Sequence, residues 1–256
     1  MKYFNTITAK IESNLKIIIF TAIFIPVVDI LYLSVFRQIY IDNYGINLTL
    51  ADLFIIASTP WFFALSISFV GIYLALHIVK YDYNSTIIII YKSRRRLWIN
   101  QTLCTTGVSL CLAVYNLLSI MVIGKLSGVN NINWDTIESA FFKNTQTLSQ
   151  TNIWQVIVLF FATTFLLNMI TITIVIVSKW IFNNFFPGWI IVATLIWIDL
   201  SGGIGIPLIF NGMSIAYTPL LINMSYSGVF YGIVILTVFW IIGFVCSKER
   251  EFYDVF

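Results

Sequence analysis

The chain has 256 residues, 59% of them hydrophobic and only 10% charged, with a mean hydropathy of +0.93. A soluble domain carries about a quarter charged residues, so one soluble core cannot hide this much apolar surface, and lipid is the expected solvent for most of the chain. Lys and Arg exceed Asp and Glu by only 14 to 11 and form no long basic stripe, which sets nucleic acid aside as a partner.

In chain order, the opening MKYFNTITAKIESNLK puts Tyr3, Phe4, Ile7 and Ile11 at helical spacing and predicts a short interfacial helix over residues 1–14. Apolar runs of about 20 residues, enough for a helix to cross a hydrocarbon core of about 30 Å, then recur at 15–36, 53–79, 102–123, 153–177, 188–210 and 228–246. The first run is too long for a signal peptide and no small-residue cleavage site ends it, so it is expected to stay as a span. The second contains Pro60, which predicts a kink, tilt or interfacial first turn. These elements define an all-α polytopic membrane protein of six transmembrane helices, a single domain over 1–256.

The basic residues orient it. Lys2, Lys10, Lys16, Lys80, Lys92, Arg94, Arg95, Arg96, Lys179, Lys248 and Arg250 fall on one side, against Arg37, Lys125 and Lys143 on the other. Both termini are therefore expected in the cytoplasm. Trp98, Trp154, Trp180 and Tyr226 fall near span ends and are predicted to be interfacial anchors.

Chemistry-bearing groups are sparse. Cys104, Cys111 and Cys246 lie in or beside apolar runs without CxxC spacing, and the lone His77 cannot complete a metal set, so no metal site is expected. His77 and Cys104 fall near the same membrane face, and a thiolate–imidazole pair would make a membrane cysteine peptidase; no orienting third group is apparent. The Gly124–Lys125 pair lacks the upstream glycine and the following Ser/Thr of a phosphate loop, so no nucleotide cofactor is expected on this chain. Asp29 and Asp199 stand inside apolar runs, where an acid normally faces a bundle interior, a polar partner or water. An ion-coupled secondary transporter would use such acids without an ATPase.

The loops carry the rest. Between runs two and three, residues 80–101 read KYDYNSTIIIIYKSRRRLWINQ, too short and mixed to cross a membrane. Asp82 or Asn84 could cap a short helix that packs Ile87, Ile88, Ile89, Ile90 and Tyr91 inward, with Lys92, Arg94, Arg95 and Arg96 at headgroups or a protein partner. The loop 124–152 has room for a small extracellular helix, and the segment 211–227 before the last run is apolar where a hydrated loop would be polar.

In this order of elements, the chain resembles the small six-span permease subunits of ABC-2-type ATP-binding-cassette exporters. The points of likeness are the amphipathic start, the segment YDYNSTIIIIYKSRRRLWINQTL, the apolar GIGIPLIFNGMSIAYTPLLINMSYSG and the short charged tail SKEREFYDVF. The resemblance implies that residues 80–101 form a cytoplasmic coupling loop docked on an ATPase through Asp82, Tyr83, Asn84, Ile87 to Ile90, Tyr91, Lys92 and Arg94 to Arg96. It also implies that 211–227 is re-entrant. Many family members place an acid where this loop has Asn84 or Ser85. The implied partners are a cytosolic ATPase that holds the ATP and Mg, and a second copy of the permease or a related subunit. Asp29 and Asp199 would line the pathway between the halves. The bias toward Ile, Asn, Lys, Tyr and Phe suggests an AT-rich bacterial genome and a cell-membrane exporter, or self-protection device, for peptide toxins or bacteriocins.

Overall fold

The computed structural model describes residues 14–83, 93–201, 208–217 and 226–249. The expected interfacial helix over 1–14 lies outside the described residues except for Asn14, as do 84–92 of the basic loop, 218–225 of the segment before the last helix, and the charged tail from residue 250.

The described chain is helical and contains no strand. Its helices are α1 (Leu15–Tyr44), α2 (Leu50–Ala57), α3 (Pro60–Phe63), α4 (Phe69–Val79), α5 (Arg94–Leu126), α6 (Ala140–Thr145), α7 (Ile153–Phe182), α8 (Phe186–Ser201), α9 (Ile209–Met213) and α10 (Ser227–Glu249). Four of them, α1, α5, α7 and α10, are long and apolar enough to cross a membrane. The other two expected spans take different forms.

The expected span over 53–79 is broken. α2 ends at Ser58 and Thr59, whose hydroxyls bond back to Ile55 O and Ile56 O, and Pro60 then starts α3 without an N–H to continue the ladder. A π turn, Ala64–Ser68, follows before α4. All eight residues of α2 are buried, so this segment packs inside the protein instead of facing lipid. Of the expected span over 188–210, the structure describes α8 and the start of α9, while 202–207 lie outside the described residues. α8 has 16 residues, which at about 1.5 Å each reach about 24 Å, less than the hydrocarbon thickness of about 30 Å. Phe210, assigned to this span by hydropathy, belongs to the separate helix α9.

α7 is the axis of the bundle: 83% of its most apolar stretch is buried, against 22% for α1 and 11% for α10. α10, α5, α8, α2 and α4 all pack on it. Its threonines are accommodated because Thr163 and Thr171 return their hydroxyls to Leu159 O and Leu167 O one turn back. α1 and α10 instead expose Ile23, Leu31, Phe230 and Ile241, a periphery suited to lipid.

Caps fix the element ends. Gly45 closes α1 in the left-handed region at φ 65°, where a side chain would be strained. Asn152 opens α7 by accepting Trp154 N. The loop 124–152 does contain a small helix, α6, capped by Ser139.

Candidate functional site: an aromatic node and a buried polar layer

Where the basic loop leaves and rejoins the bundle, its two ends are held together. A 3-10 turn, Lys80–Tyr83, follows α4, and α5 starts at Arg94. The Tyr83 hydroxyl donates to Gln101 Oε1 at 3.2 Å, and the same oxygen accepts Trp180 Nε1 at 2.9 Å. Around this three-way bond, Trp98 and Trp180 meet edge to face at 6.3 Å, and Tyr83 meets Phe185 at 5.6 Å. Lys179 Nζ lies 5.4 Å from the centre of the Tyr83 ring and 5.5 Å from that of Phe185. Burial, aided by the adjacent Asp82 charge, pushes the Tyr83 phenol well above its ordinary range, so it stays a hydrogen-bond donor.

Trp98 and Trp180 are each 1% exposed, so neither is an interfacial anchor. Their spacing at span ends suits an interface, but α10 brings Gly243 against the Trp98 ring and covers it. Trp154 and Tyr226, at 65% and 57% exposed, remain open. Among the expected coupling residues, Asp82 and Tyr83 enter this node, with Asp82 fully buried. Arg94 to Arg96 form the first turn of α5, with Arg95 5.8 Å from the centre of the Phe244 ring. Asn84, Ile87 to Ile90, Tyr91 and Lys92 lie outside the described residues.

A second constellation occupies the bundle interior. Asp29 of α1 is 0% exposed and accepts the Ser119 hydroxyl of α5 through Oδ2, while Oδ1 has no partner among the described residues. Asn116, one turn before Ser119, is fully buried, and neither of its amide atoms has a hydrogen-bond partner among the described residues. The same holds for Asn168 of α7. Ser68, at the end of the π turn, buries an unpartnered hydroxyl. These groups belong to neighbouring levels: a Cβ at Gly71 would stand 3.0 Å from Asn168 Oδ1 and 3.2 Å from Leu112 Cδ1, and Leu112 lies one turn from Asn116. A plug of Ile25, Val70, Leu74 and Leu112 lies next to this layer. Unpaired polar groups in a dry interior are costly, and a π turn beside them is a common mark of a functional segment.

Asp199 is employed differently. Its Oδ1 accepts Leu208 N at 2.8 Å, its Oδ2 accepts Phe210 N at 2.8 Å and Asn211 N at 3.4 Å, and its backbone O accepts Asn211 Nδ2 at 2.6 Å. It collects the free N–H groups at the start of α9 and turns the chain back after α8. Asp29 and Asp199 are thus both buried, one with an open oxygen and the other fully engaged by backbone. His77 Nδ1 is 3.0 Å from Tyr73 O of its own helix and its ring lies against Tyr73, and Cys104, Cys111 and Cys246 form no disulfide among the described residues.

At the opposite end, Asp52 joins three segments, a role that apolar-run analysis misses. It accepts Thr49 N and Oγ1 in a capping box, Trp134 Nε1 at 2.9 Å and the Tyr217 hydroxyl at 3.0 Å. Ser58 Oγ also accepts Ile215 N–H, and its one hydroxyl hydrogen is shared between Ile55 O and Ile215 O. The Thr49-x-x-Asp52 spacing is a legible helix-start signal; the Trp134 and Tyr217 bonds have no signature in local sequence. Asn116 and Asn168, isolated amides in apolar runs, were likewise visible by type but not by partner.

No family model matches the chain, and no curated protein or solved structure matches it either.

Proposed function

We propose that this chain is the membrane subunit of an ATP-binding-cassette exporter, which moves an amphipathic peptide or another hydrophobic cargo with ATP hydrolysed by a separate cytosolic ATPase. The supporting observation is the node of Tyr83, Gln101, Trp98 and Trp180. A loop that passes motion from an ATPase into a bundle needs stiff ends, and this one is tied to α5 and to the axial helix α7 by shared hydrogen bonds and edge-to-face rings. In this reading ATP and Mg belong to the partner, a second permease copy or related subunit completes the pathway, and the basic end and both termini face the cytoplasm of a bacterium. Asp29, with one open carboxylate oxygen and a bond to Ser119 one turn from the buried Asn116 amide, is the better pathway candidate of the two acids. An acidic lining would favour a cationic amphipathic peptide over an anionic lipid or polymer.

The test is association. The purified chain alone should hydrolyse no ATP, and an ATPase should copurify with it through residues 82–92. Replacing Ile87 to Ile90 with polar residues should remove most of that ATPase by deleting the apolar docking face. Undiminished copurification would leave the loop as a topogenic signal and nothing more.

A further inference from the structure

At the end of the bundle that carries α6, a cleft with two chemistries in series runs from the loops at 47–49 and 128–133 down along α1. The upper part is a cavity of about 310 Å³ lined by Arg37, Asn47, Asn130 and Asn133 with Thr49 and the Gly128 turn. Its wall is firm, because Leu50 N and Ala51 N donate to Asn130 O and Asn131 O and hold the loop against the start of α2. The lower part, of about 390 Å³, is a mainly apolar groove between α1 and α5 walled by Ile30, Leu33, Ile41, Leu53 and Ile123, with Ser34, Gln38 and Ser127 also in its lining. Arg37 belongs to both.

Arg37 is the focus. Its Nε is buried without a hydrogen-bond partner, and among the described residues nothing pairs with its guanidinium. Asn133 Oδ1 is buried and unpartnered as well. Among the described residues, no Asp or Glu lines either part of the cleft. An arginine at the end of a membrane helix with no acid beside it calls for an anion, and planar guanidinium suits a phosphate. The apolar groove running from that charge along α1 calls for a hydrocarbon chain.

We propose that this cleft is a binding site for a net-anionic glycerophospholipid, its phosphate on Arg37 with the Asn47 and Asn130 amides in reach, and one acyl chain in the groove between α1 and α5. A zwitterionic headgroup is disfavoured because its ammonium would enter a chamber that has a cation and no acid to receive it. The site is independent of the transport reading and of which way the chain faces.

The experiment captures lipid in nanodiscs of phosphatidylcholine carrying a small fraction of acyl-diazirine phosphatidylglycerol or, separately, acyl-diazirine phosphatidylcholine. The unmodified chain should be labelled on α1 and α5 about fivefold more by the phosphatidylglycerol probe, the ratio equivalent to about 1 kcal/mol for one basic contact at a membrane surface. Arg37→Gln should bring the two probes to parity, and Arg37→Lys should keep most of the preference. Ser34→Trp, at an exposed position on the groove wall, should block labelling there by both probes while leaving Arg37 in place. Excess inorganic phosphate should not compete. Equal capture of the two probes by the unmodified chain, undiminished preference in Arg37→Gln, or unchanged labelling in Ser34→Trp would overturn the site. Competition by inorganic phosphate would overturn the lipid in favour of a free anion. Should Arg37→Gln fail to fold, the Ser34→Trp result and the probe ratio decide alone.

Discussion

The two intramembrane acids separate at the level of single atoms. Asp199 gives both carboxylate oxygens to backbone N–H groups, whereas Asp29 keeps one oxygen open and accepts Ser119 through the other. Asparagine can replace only one accepting oxygen and would turn an NH2 toward N–H donors at Asp199. Asp199→Asn should therefore cost about 1–2 kcal/mol, visible as a lower melting temperature in detergent. Asp29→Asn has no such network to break. It should leave the melting temperature close to that of the unmodified chain and reduce export of a cationic peptide, with little effect on a neutral cargo. Cationic-peptide export at the unmodified rate would make Asp29 structural and remove the support for the proposed cargo. The role of Asp29 is not visible in the apolar run that surrounds it, because its partner Ser119 is ninety residues away in sequence, and that of Asp199 is hidden because its partners Leu208 and Phe210 are backbone N–H groups, which carry no residue-type signal.

At the scale of elements, helix contacts are controlled by glycines as much as by large side chains. A Cβ at Gly243 of α10 would fall 2.1 Å from Trp98 Cη2, inside the ring of a residue that is itself wedged against Trp180. The ring cannot yield without breaking the node. Gly243→Ala should thus destabilise by about 1–3 kcal/mol, the usual range for overpacking, and loosen α10 from α5 and α7. Gly107 of α5 is the internal control, since a Cβ there meets nothing within 4 Å. Gly107→Ala should be neutral or slightly stabilising through helix propensity. Equal melting temperatures for the two variants would show that Trp98 can move aside. The break in the second apolar run belongs to this scale too. Pro60 was a legible signal of irregularity, but the π turn and complete burial of α2 depend on what packs around them, chiefly α7 and α1.

For the whole molecule, the strongest consequence concerns its two ends. Asn144 of α6 and Arg95 of α5 are both exposed and lie at opposite ends of the bundle, since the Asn144 amide is near Tyr40 at the end of α1 and Arg95 begins a helix about 50 Å long by its 33 residues. In a background without native cysteines, Asn144→Cys should react with an impermeant thiol reagent in intact cells, and Arg95→Cys should not. Reversed labelling would invert the orientation and detach the basic loop from any cytosolic ATPase. The sequence by itself determined the solvent, the helical class and the cores of four long apolar helices, because transfer of so much apolar, charge-poor chain to lipid dominates every local preference. It did not determine which apolar faces meet lipid and which meet protein. Hydrocarbon and a packed interior are equally apolar, so hydropathy alone gives α2 and α7 the same reading as α1 and α10. Only the tertiary structure decided that Trp98 and Trp180 lie inside, that Asp199 gathers the start of α9, and that Arg37 tops a groove between α1 and α5. The Trp98–Trp180 contact and the groove below Arg37 join residues far apart in sequence, so their energy exists only once the helices have assembled, whereas Asp199 closes a local loop of 9 to 12 residues.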